Sequence, residues 1–352
     1  MSMTTIPQTQ IAAVIPPTGT TAEGTVQISK THPIPVPGEG EILVKLEFSG
    51  VCHSDVHSVR GDTPMLTDVA GHEGVGKVAL QLLLELRDLR KEQYFLSLPE
   101  KCRSRTSLSV WNICASAVYL TKPQNVPGTF QQYIVSPAIH VTQIPSELAP
   151  DQAAPLLCAG IAMYSSIMKT KTQPGDWLVI PGAGGGLGHM GVQIAVKKGL
   201  KVIAIDSGEK KKQLCLSLGA ASFLDYKTDD VEKEVKSLTS GLGAHAVICL
   251  ANSEAGYAQS MRMLRSLGVL VCTGIPNVPF RLPATPFDMI VKGLTIVGNS
   301  AGTAKEMDEL MEMAVAGDVK AHIEVFDFDQ INDVLQRLGR SEIDGRAVMR
   351  IP

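Results

Sequence analysis

The stretch DWLVIPGAGGGLGHMGVQIAVKKGLKVIAIDSGEK, Asp176 to Lys210, decides the fold. An apolar run, Trp177 to Ile180, leads into Gly182-Ala183-Gly184-Gly185-Gly186-Leu187-Gly188. A helical pattern follows, and a second apolar run closes on Asp206, 18 residues after Gly188. Glycines let the backbone turn tightly and approach a pyrophosphate, which would sit on the exposed N–H groups of the helix N-terminus. A carboxylate at the end of the second strand accepts hydrogen bonds from ribose hydroxyls and repels a 2′-phosphate, so Asp206 favours NAD over NADP. Lys210 and Lys211 stand near enough to blur that preference. The competing reading is a glycine-rich turn with no ligand. A glycine run alone would not exclude it, but strand, glycines, helix, strand and acid in register argue against it.

Outward from this unit, AHAVICLA, VLVCTGI and LTIVGNS are further short runs rich in β-branched residues, and KKKQLCLSLGA is a helical pattern. Buried strands alternating with helices build a doubly wound parallel sheet over residues 161–300. Residues 1–160 read differently. EILVKLEFSGVC alternates apolar and polar residues and predicts a strand within a β-rich domain, expected to carry the catalytic groups. The tail, 301–352, carries helices in TAKEMDELMEMAVAG and near INDVLQRLG, then a final strand RAVMRI, and is expected to return to the first domain.

Bulk properties narrow the function. A chain of 352 residues exceeds the usual limit of one core, roughly 250–300 residues. A net charge of −3 recommends neither nucleic acid nor an anionic membrane as partner. No 18-residue apolar run predicts a membrane span. The N-terminus lacks a basic start followed by an apolar stretch, so a cytoplasmic location is expected. The seven cysteines are scattered and odd in number, and read as thiols or metal ligands rather than a disulfide framework.

One cluster stands out. GVCHSDVHSVRGD, Gly50 to Asp62, places Cys52, His53, Asp55 and His57 within six residues. AGHEGVG adds His72 and Glu73, and PLLCAG adds Cys158. Two thiolates and an imidazole make a three-ligand catalytic zinc set with its fourth position open. Taken singly, each has a plainer reading: a buried cysteine as a small apolar residue, a histidine as a satisfied core or turn residue.

Together, VCHSDVH, GHEG, LLCAG, GAGGGLG, IDSGEK and DGRAV resemble the zinc-dependent alcohol dehydrogenases of the medium-chain dehydrogenase/reductase superfamily, in their fungal and microbial form. The resemblance covers residues 1–76 and 126–352. It implies a GroES-like catalytic domain joined to a Rossmann domain, and the reversible oxidation of primary alcohols to aldehydes with hydride transfer to NAD. It implies that Cys52, His72 and Cys158 hold the catalytic zinc, that Asp55 orients His72, and that Glu73 lies behind the metal. Ser54 would receive the alcohol proton and pass it through the nicotinamide ribose to His57 at the surface. His53 and Arg346 would meet the pyrophosphate. Gly182, Gly184, Gly185, Gly186, Leu187 and Gly188 would cradle the dinucleotide, with Asp206 and Lys211 at its ribose. A homo-oligomer, dimer or tetramer, would form by joining cofactor-domain sheets near GLTIVGNS. Two alternatives stay open: a zinc-free quinone or enone reductase of the same superfamily, and a chain that binds dinucleotide without competent catalysis.

One segment departs from the pattern. The 51 residues between Gly76 and Gly128 contain no glycine, in a chain with 32. Relatives carry there a structural-zinc lobe spaced C-x2-C-x2-C-x7-C. This chain has only Cys102 and Cys114, so the structural site is absent as written and one zinc per chain is expected. Residues 78–125 are either a diverged insertion, with LLLELRDLRKEQYFL as an amphipathic helix, or out-of-frame or misjoined coding sequence over roughly 79–124. Finally, Val59 and Thr63 stand near places where ethanol-preferring relatives carry aromatic residues, which predicts a roomier pocket for longer or branched primary alcohols.

Overall fold

The computed structural model describes residues 6–16, 24–62, 67–81, 93–96, 127–137, 141–276 and 280–352. In chain order the first part holds β1 (Thr9–Val14), β2 (Gln27–Pro33), β3 (Glu41–Val51), α1 (His53–Arg60), β4 (Glu73–Gln81), β5 (Gln93–Leu96), β6 (Tyr133–Pro137), β7 (Val141–Ile144) and α2 (Pro150–Ala153). The middle holds α3 (Ala159–Thr170), β8 (Trp177–Pro181), α4 (Gly188–Lys197), β9 (Lys201–Asp206), α5 (Glu209–Ser217), β10 (Ser222–Asp225), α6 (Val231–Leu238), β11 (Ala244–Cys249), α7 (Glu254–Arg262), β12 (Leu264–Cys272), α8 (Pro286–Lys292) and β13 (Thr295–Gly298). The tail adds α9 (Ala304–Val315), β14 (Ile323–Asp327), α10 (Ile331–Gly339) and β15 (Arg346–Arg350). The chain divides into two compact units. One comprises Met1–Cys158 with Thr303–Val315 and Ile323–Pro352, the other Ala159–Gly302 with Ala316–His322.

The first unit is built on a seven-stranded sheet ordered β14-β15-β3-β4-β5-β7, with β6 also paired to β3. β3 is its spine, antiparallel to β4, β6 and β15. The sequence suggests alternation along β3, yet Ile42, Leu43 and Val44 are all buried. Register shifts at Leu43/Val44 and Leu46/Phe48 explain this, since a bulge turns successive side chains out of the period of two. The core gathers Val44, Leu46, Phe130, Ile134 and, from the tail, Phe326, Val334 and Leu335. Thr303–Val315 and Ile323–Pro352 of the tail belong to this unit, where α10 buries one apolar face, whereas Ala316–His322 belongs to the second unit.

The second unit is a six-stranded parallel sheet ordered β10-β9-β8-β11-β12-β13. The order reverses at β8, the first strand, so the glycine loop emerges at the switch point of a doubly wound sheet, where such folds open a crevice. Strands β8, β9 and β11 are buried along nearly their whole length, as strands covered on both faces must be.

The anomalous segment is corrected at one point. Gln93–Leu96, read as the end of an amphipathic helix, is strand β5, paired antiparallel to both β4 and β7. Residues 82–92 and 97–126 lie outside the described residues, and with them Cys102, Cys114 and the structural-zinc question. Thr63 lies outside them also.

Candidate functional site

Sheet register assembles the cluster in the first unit. Gly50 pairs with Glu73 across β3 and β4, so Cys52, one residue past β3, and His72, one residue before β4, end on the same edge. On the other side of β3, Val51 pairs with Ala347, which brings Arg346 alongside. Cys158 arrives from a single 3-10 turn, Ala154–Leu157, whose Ala154, Pro155 and Leu156 are buried. Ligand atoms of Cys52, His72, Glu73 and Cys158 all lie within 4.8 Å of one another, although Cys52 and Cys158 are separated by 106 positions.

Asp55 ties two of these groups together. Its Oδ2 accepts the Cys52 N–H at 2.8 Å at the start of α1, and its Oδ1 lies 2.8 Å from His72 Nδ1. A carboxylate can only accept there, so the His72 proton sits on Nδ1 and the Nε2 lone pair is presented to the cluster, the arrangement a metal-binding imidazole needs. Cys158 Sγ lies 3.8 Å from Cys52 Sγ. The hydrogen bond from Cys158 is the main cause holding the Cys52 thiol well below its usual range, against burial. The same bond, with burial, pushes Cys158 well above it. Cys52 is therefore the first of the two to ionise.

Glu73 is fully buried and sits over Gly50, where an added Cβ would meet Glu73 Oε2 at 2.0 Å. Its Oε1 accepts from Arg346 Nη2 and lies 3.7 Å from His72 Nε2. Burial pushes the Glu73 carboxyl up to about 7 despite the lowering effect of Arg346. The two ends of this pair respond differently. Burial alone would lower the Arg346 guanidinium, but Glu73, Cys52 and Cys158 outweigh it and hold it charged, whereas Glu73 faces thiols as well as one cation. Glu73 Oε2 and Arg346 Nε are buried with no hydrogen-bond partner among the described residues. Arg346, expected at the pyrophosphate, is thus 3% exposed and engaged with Glu73.

Ser54 is half-buried on α1. His57, expected at the surface, is only 9% exposed, because the chain turns back on it at the left-handed Gly61. That turn puts Asp62 N–H on His57 O at 2.9 Å and Asp62 Oδ2 3.0 Å from His57 Nδ1. Asp62, with 54% of its side chain exposed, takes the solvent-facing place instead. In the sequence Asp62 carries a single signal, an acid just beyond a glycine that ends a helix. His53 is half-buried, its ring 5.3 Å from that of His57, and burial followed by His57 holds its imidazole below the usual range.

In the second unit the loop is shaped by its backbone. Gly188 has no room for a side chain, since a Cβ would lie 2.2 Å from Gly182 O. Leu187 stands at the N-cap of α4 and offers no side-chain cap, and within the first turn the His189 N–H is taken by Gly185 O at 3.1 Å, so only the remaining first-turn N–H groups are left for another acceptor. Asp206 Oδ2 accepts Gly184 N–H, and Oδ1 accepts Ser207 N–H and Lys211 Nζ, each at 2.9 Å. Three of roughly four acceptor positions on the carboxylate are used, leaving capacity for one more donor. Lys210 is exposed and Lys211 half-buried.

The donor set fits zinc: two thiols and a neutral imidazole Nε2 converge, with an unpartnered carboxylate oxygen behind them. The uncapped, glycine-lined helix start and the acid at the end of β9 fit a dinucleotide.

Comparison with known proteins agrees. Residues 38–146 match the family model of the alcohol dehydrogenase GroES-like domain, and residues 186–316 that of the zinc-binding dehydrogenases. The chain is 38% identical to alcohol dehydrogenase 2 of Emericella nidulans over 99% of each chain, and 36% identical to alcohol dehydrogenase 1 of Neurospora crassa over 98% of each. The chain belongs to the zinc-type medium-chain alcohol dehydrogenases. Among solved structures it superimposes on the alcohol dehydrogenase of Aeropyrum pernix with a TM-score of 0.82, at 28% identity, over 97% of this chain and all of that one. Acetophenone reductase from Geotrichum candidum in complex with NAD gives a TM-score of 0.82 at 26% identity, over 98% of each chain. For this alcohol dehydrogenase the chemistry is therefore alcohol oxidoreduction, and family and fold together support zinc and NAD as its cofactors.

Proposed function

We propose that this chain is an NAD- and zinc-dependent dehydrogenase that interconverts primary alcohols and aldehydes, using a catalytic domain over 1–160, a Rossmann domain over 161–300 and a C-terminal segment over 301–352. The observation that carries the reading is the convergence of Cys52, His72 and Cys158 within 4.8 Å. These three would hold one zinc. When bound, the metal supplies Lewis-acid chemistry that lets an alcohol lose its proton near neutral pH, and the nicotinamide supplies the hydride acceptor.

The chain's own residues do the rest. Asp55 keeps the His72 tautomer and ring orientation. Glu73 offers a further oxygen to the same centre, its charge moderated by Arg346. Ser54 Oγ is the first acceptor of the alcohol proton and His57 the last, with Asp62 holding His57 Nδ1 so that Nε2 is the basic nitrogen. His53, the glycines 182, 184, 185, 186 and 188, Leu187, Asp206 and Lys211 serve the cofactor. A pocket open to longer or branched primary alcohols is part of the proposal; Val59 itself packs fully buried in the core of the first unit.

A homo-oligomer is supported by the open edge of β13 and by Phe287, Ile290 and Val291 on α8, which are 72%, 80% and 62% exposed. Cytoplasmic residence is part of the proposal. No helix among the described residues is long and apolar enough to cross a membrane.

The test is elemental analysis of the purified protein together with NADH formation over a series of alcohols. The expected result is about one zinc per chain and turnover of several primary alcohols, without a sharp maximum at ethanol. Reduction of quinones by NADPH without zinc would replace this reading with the zinc-free reductase. NADH binding without turnover would leave only a dinucleotide-binding chain.

A further inference from the structure

His189 follows the glycine loop directly, yet it is completely buried and points away from solvent. Its Nδ1 lies 2.9 Å from Gly185 O, and its Nε2 accepts the His322 N–H at 3.0 Å. The partners settle the tautomer: a carbonyl can only accept and an amide can only donate, so the ring is neutral with its proton on Nδ1. Gly185 O also receives the His189 backbone N–H at 3.1 Å, so one carbonyl is gripped by two donors from one residue. Peptide planarity carries the consequence forward. In a trans peptide the C=O of Gly185 and the N–H of Gly186 point in opposite directions, so fixing the carbonyl toward His189 aims the Gly186 N–H the other way. Farther along α4, Gln193 stitches the helix to the same 316–322 segment. Its Nε2 donates to Lys320 O at 3.0 Å and to the His189 carbonyl at 3.1 Å, and its Oε1 accepts Lys320 N–H at 2.9 Å, so it meets the His189 backbone but neither the imidazole nor the Gly185 carbonyl.

We infer that His189 is a positioning residue for the dinucleotide: its imidazole locks the Gly185–Gly186 peptide so that the Gly186 N–H is preset as a donor for a pyrophosphate oxygen. This rests on reading residues 176–206 as the NAD site.

The experiment measures NADH affinity by fluorescence in the full-length protein carrying H189N, H189Q or Q193M, with melting temperatures alongside. Asparagine places an amide near the Nδ1 position and keeps the Gly185 bond while losing His322. Glutamine reaches the Nε2 position and loses the Gly185 bond. The expected result is a Kd raised roughly tenfold in H189Q, the size of one lost hydrogen bond, and within about threefold of the unsubstituted protein in H189N. Q193M should lower the melting temperature and leave the Kd unchanged. Equal effects of H189N and H189Q on Kd, or a Q193M effect as large as that of H189Q, would overturn the inference and reduce His189 to a packing residue. Should H189Q fail to fold, nitrogen-15 NMR of histidines in the unsubstituted protein decides. A neutral, Nδ1-protonated His189 retained with ADP-ribose bound supports the lock, and an Nε2-protonated or charged ring refutes it. If the unsubstituted protein binds no NADH at all, the functional reading fails first, a result distinct from any of these.

Discussion

The metal cluster and the glycine loop reach their geometry by opposite routes. The loop is one contiguous run, Gly182 to Gly188, held by neighbours close in sequence, with Asp206 at the end of the next strand as its anchor. The cluster collects residues 52, 72–73, 158 and 346, and depends on β3, β4 and β15 pairing in one register. It also buries Asp55, Glu73 and Arg346 together, charges that are costly to hide unless each finds a partner. The two sites therefore fail in different ways. Removing one member of the cluster leaves buried charge without compensation, whereas damage to the loop acts through backbone shape.

That contrast can be broken by substitution. The largest effect is expected at Cys158→Ala. Zinc content by elemental analysis should fall close to zero and kcat/KM by about a thousandfold or more, with NADH affinity unchanged. A parallel loss of NADH affinity would show that the two sites are not independent. Arg346→Met should destabilise the protein by about 3–5 kcal/mol in urea unfolding, because it leaves the Glu73 carboxylate buried without its cation. Gly188→Ala is the mirror of the cysteine change. A methyl 2.2 Å from Gly182 O must push the loop open, so NADH Kd should rise about a hundredfold while one zinc per chain is retained. Asp55→Asn keeps the size of the side chain but weakens its hold on His72 Nδ1, and zinc affinity by chelator competition should drop about 10–100-fold.

The smallest effect separates working thiols from packing thiols. Burial is the main cause pushing Cys215 up to about 12 and Cys272 up to about 11, and it also raises Cys249. At pH 8 only about 0.1% or less of Cys272 is thiolate, so peptide-mapped alkylation should leave all three unmodified. Removing zinc with a chelator should expose Cys52, the thiol held low, to the reagent first.

Much of the second unit could be read directly from residues. DWLVIPG, KVIAIDS and AHAVICLA announce buried strands because parallel strands covered on both faces are apolar throughout, whereas LTIVGNS, similarly apolar, forms the edge strand β13, whose residues are only half-buried or exposed. The first unit was harder. Along β3 the bulges break the period-two pattern, and Gln93–Leu96 pairs as a strand although its leucine-rich context suggests a helix. Asp62 and His189 were illegible as partners because nothing local shows that Gly61 turns one back on His57, or that His322 comes to lie against the other.

What is local was already present in the order of residues: the glycine loop, its closing acid, and two thiols and a histidine able to bind a metal. Folding in three dimensions settled which of those side chains meet, that Glu73 takes Arg346 as its partner, and which nitrogen of His72 faces the cluster. The cause is range. Glycine torsions and strand periodicity act over a few residues, whereas convergence of positions 52, 72 and 158 depends on strand register and on a core to which distant parts of the chain contribute.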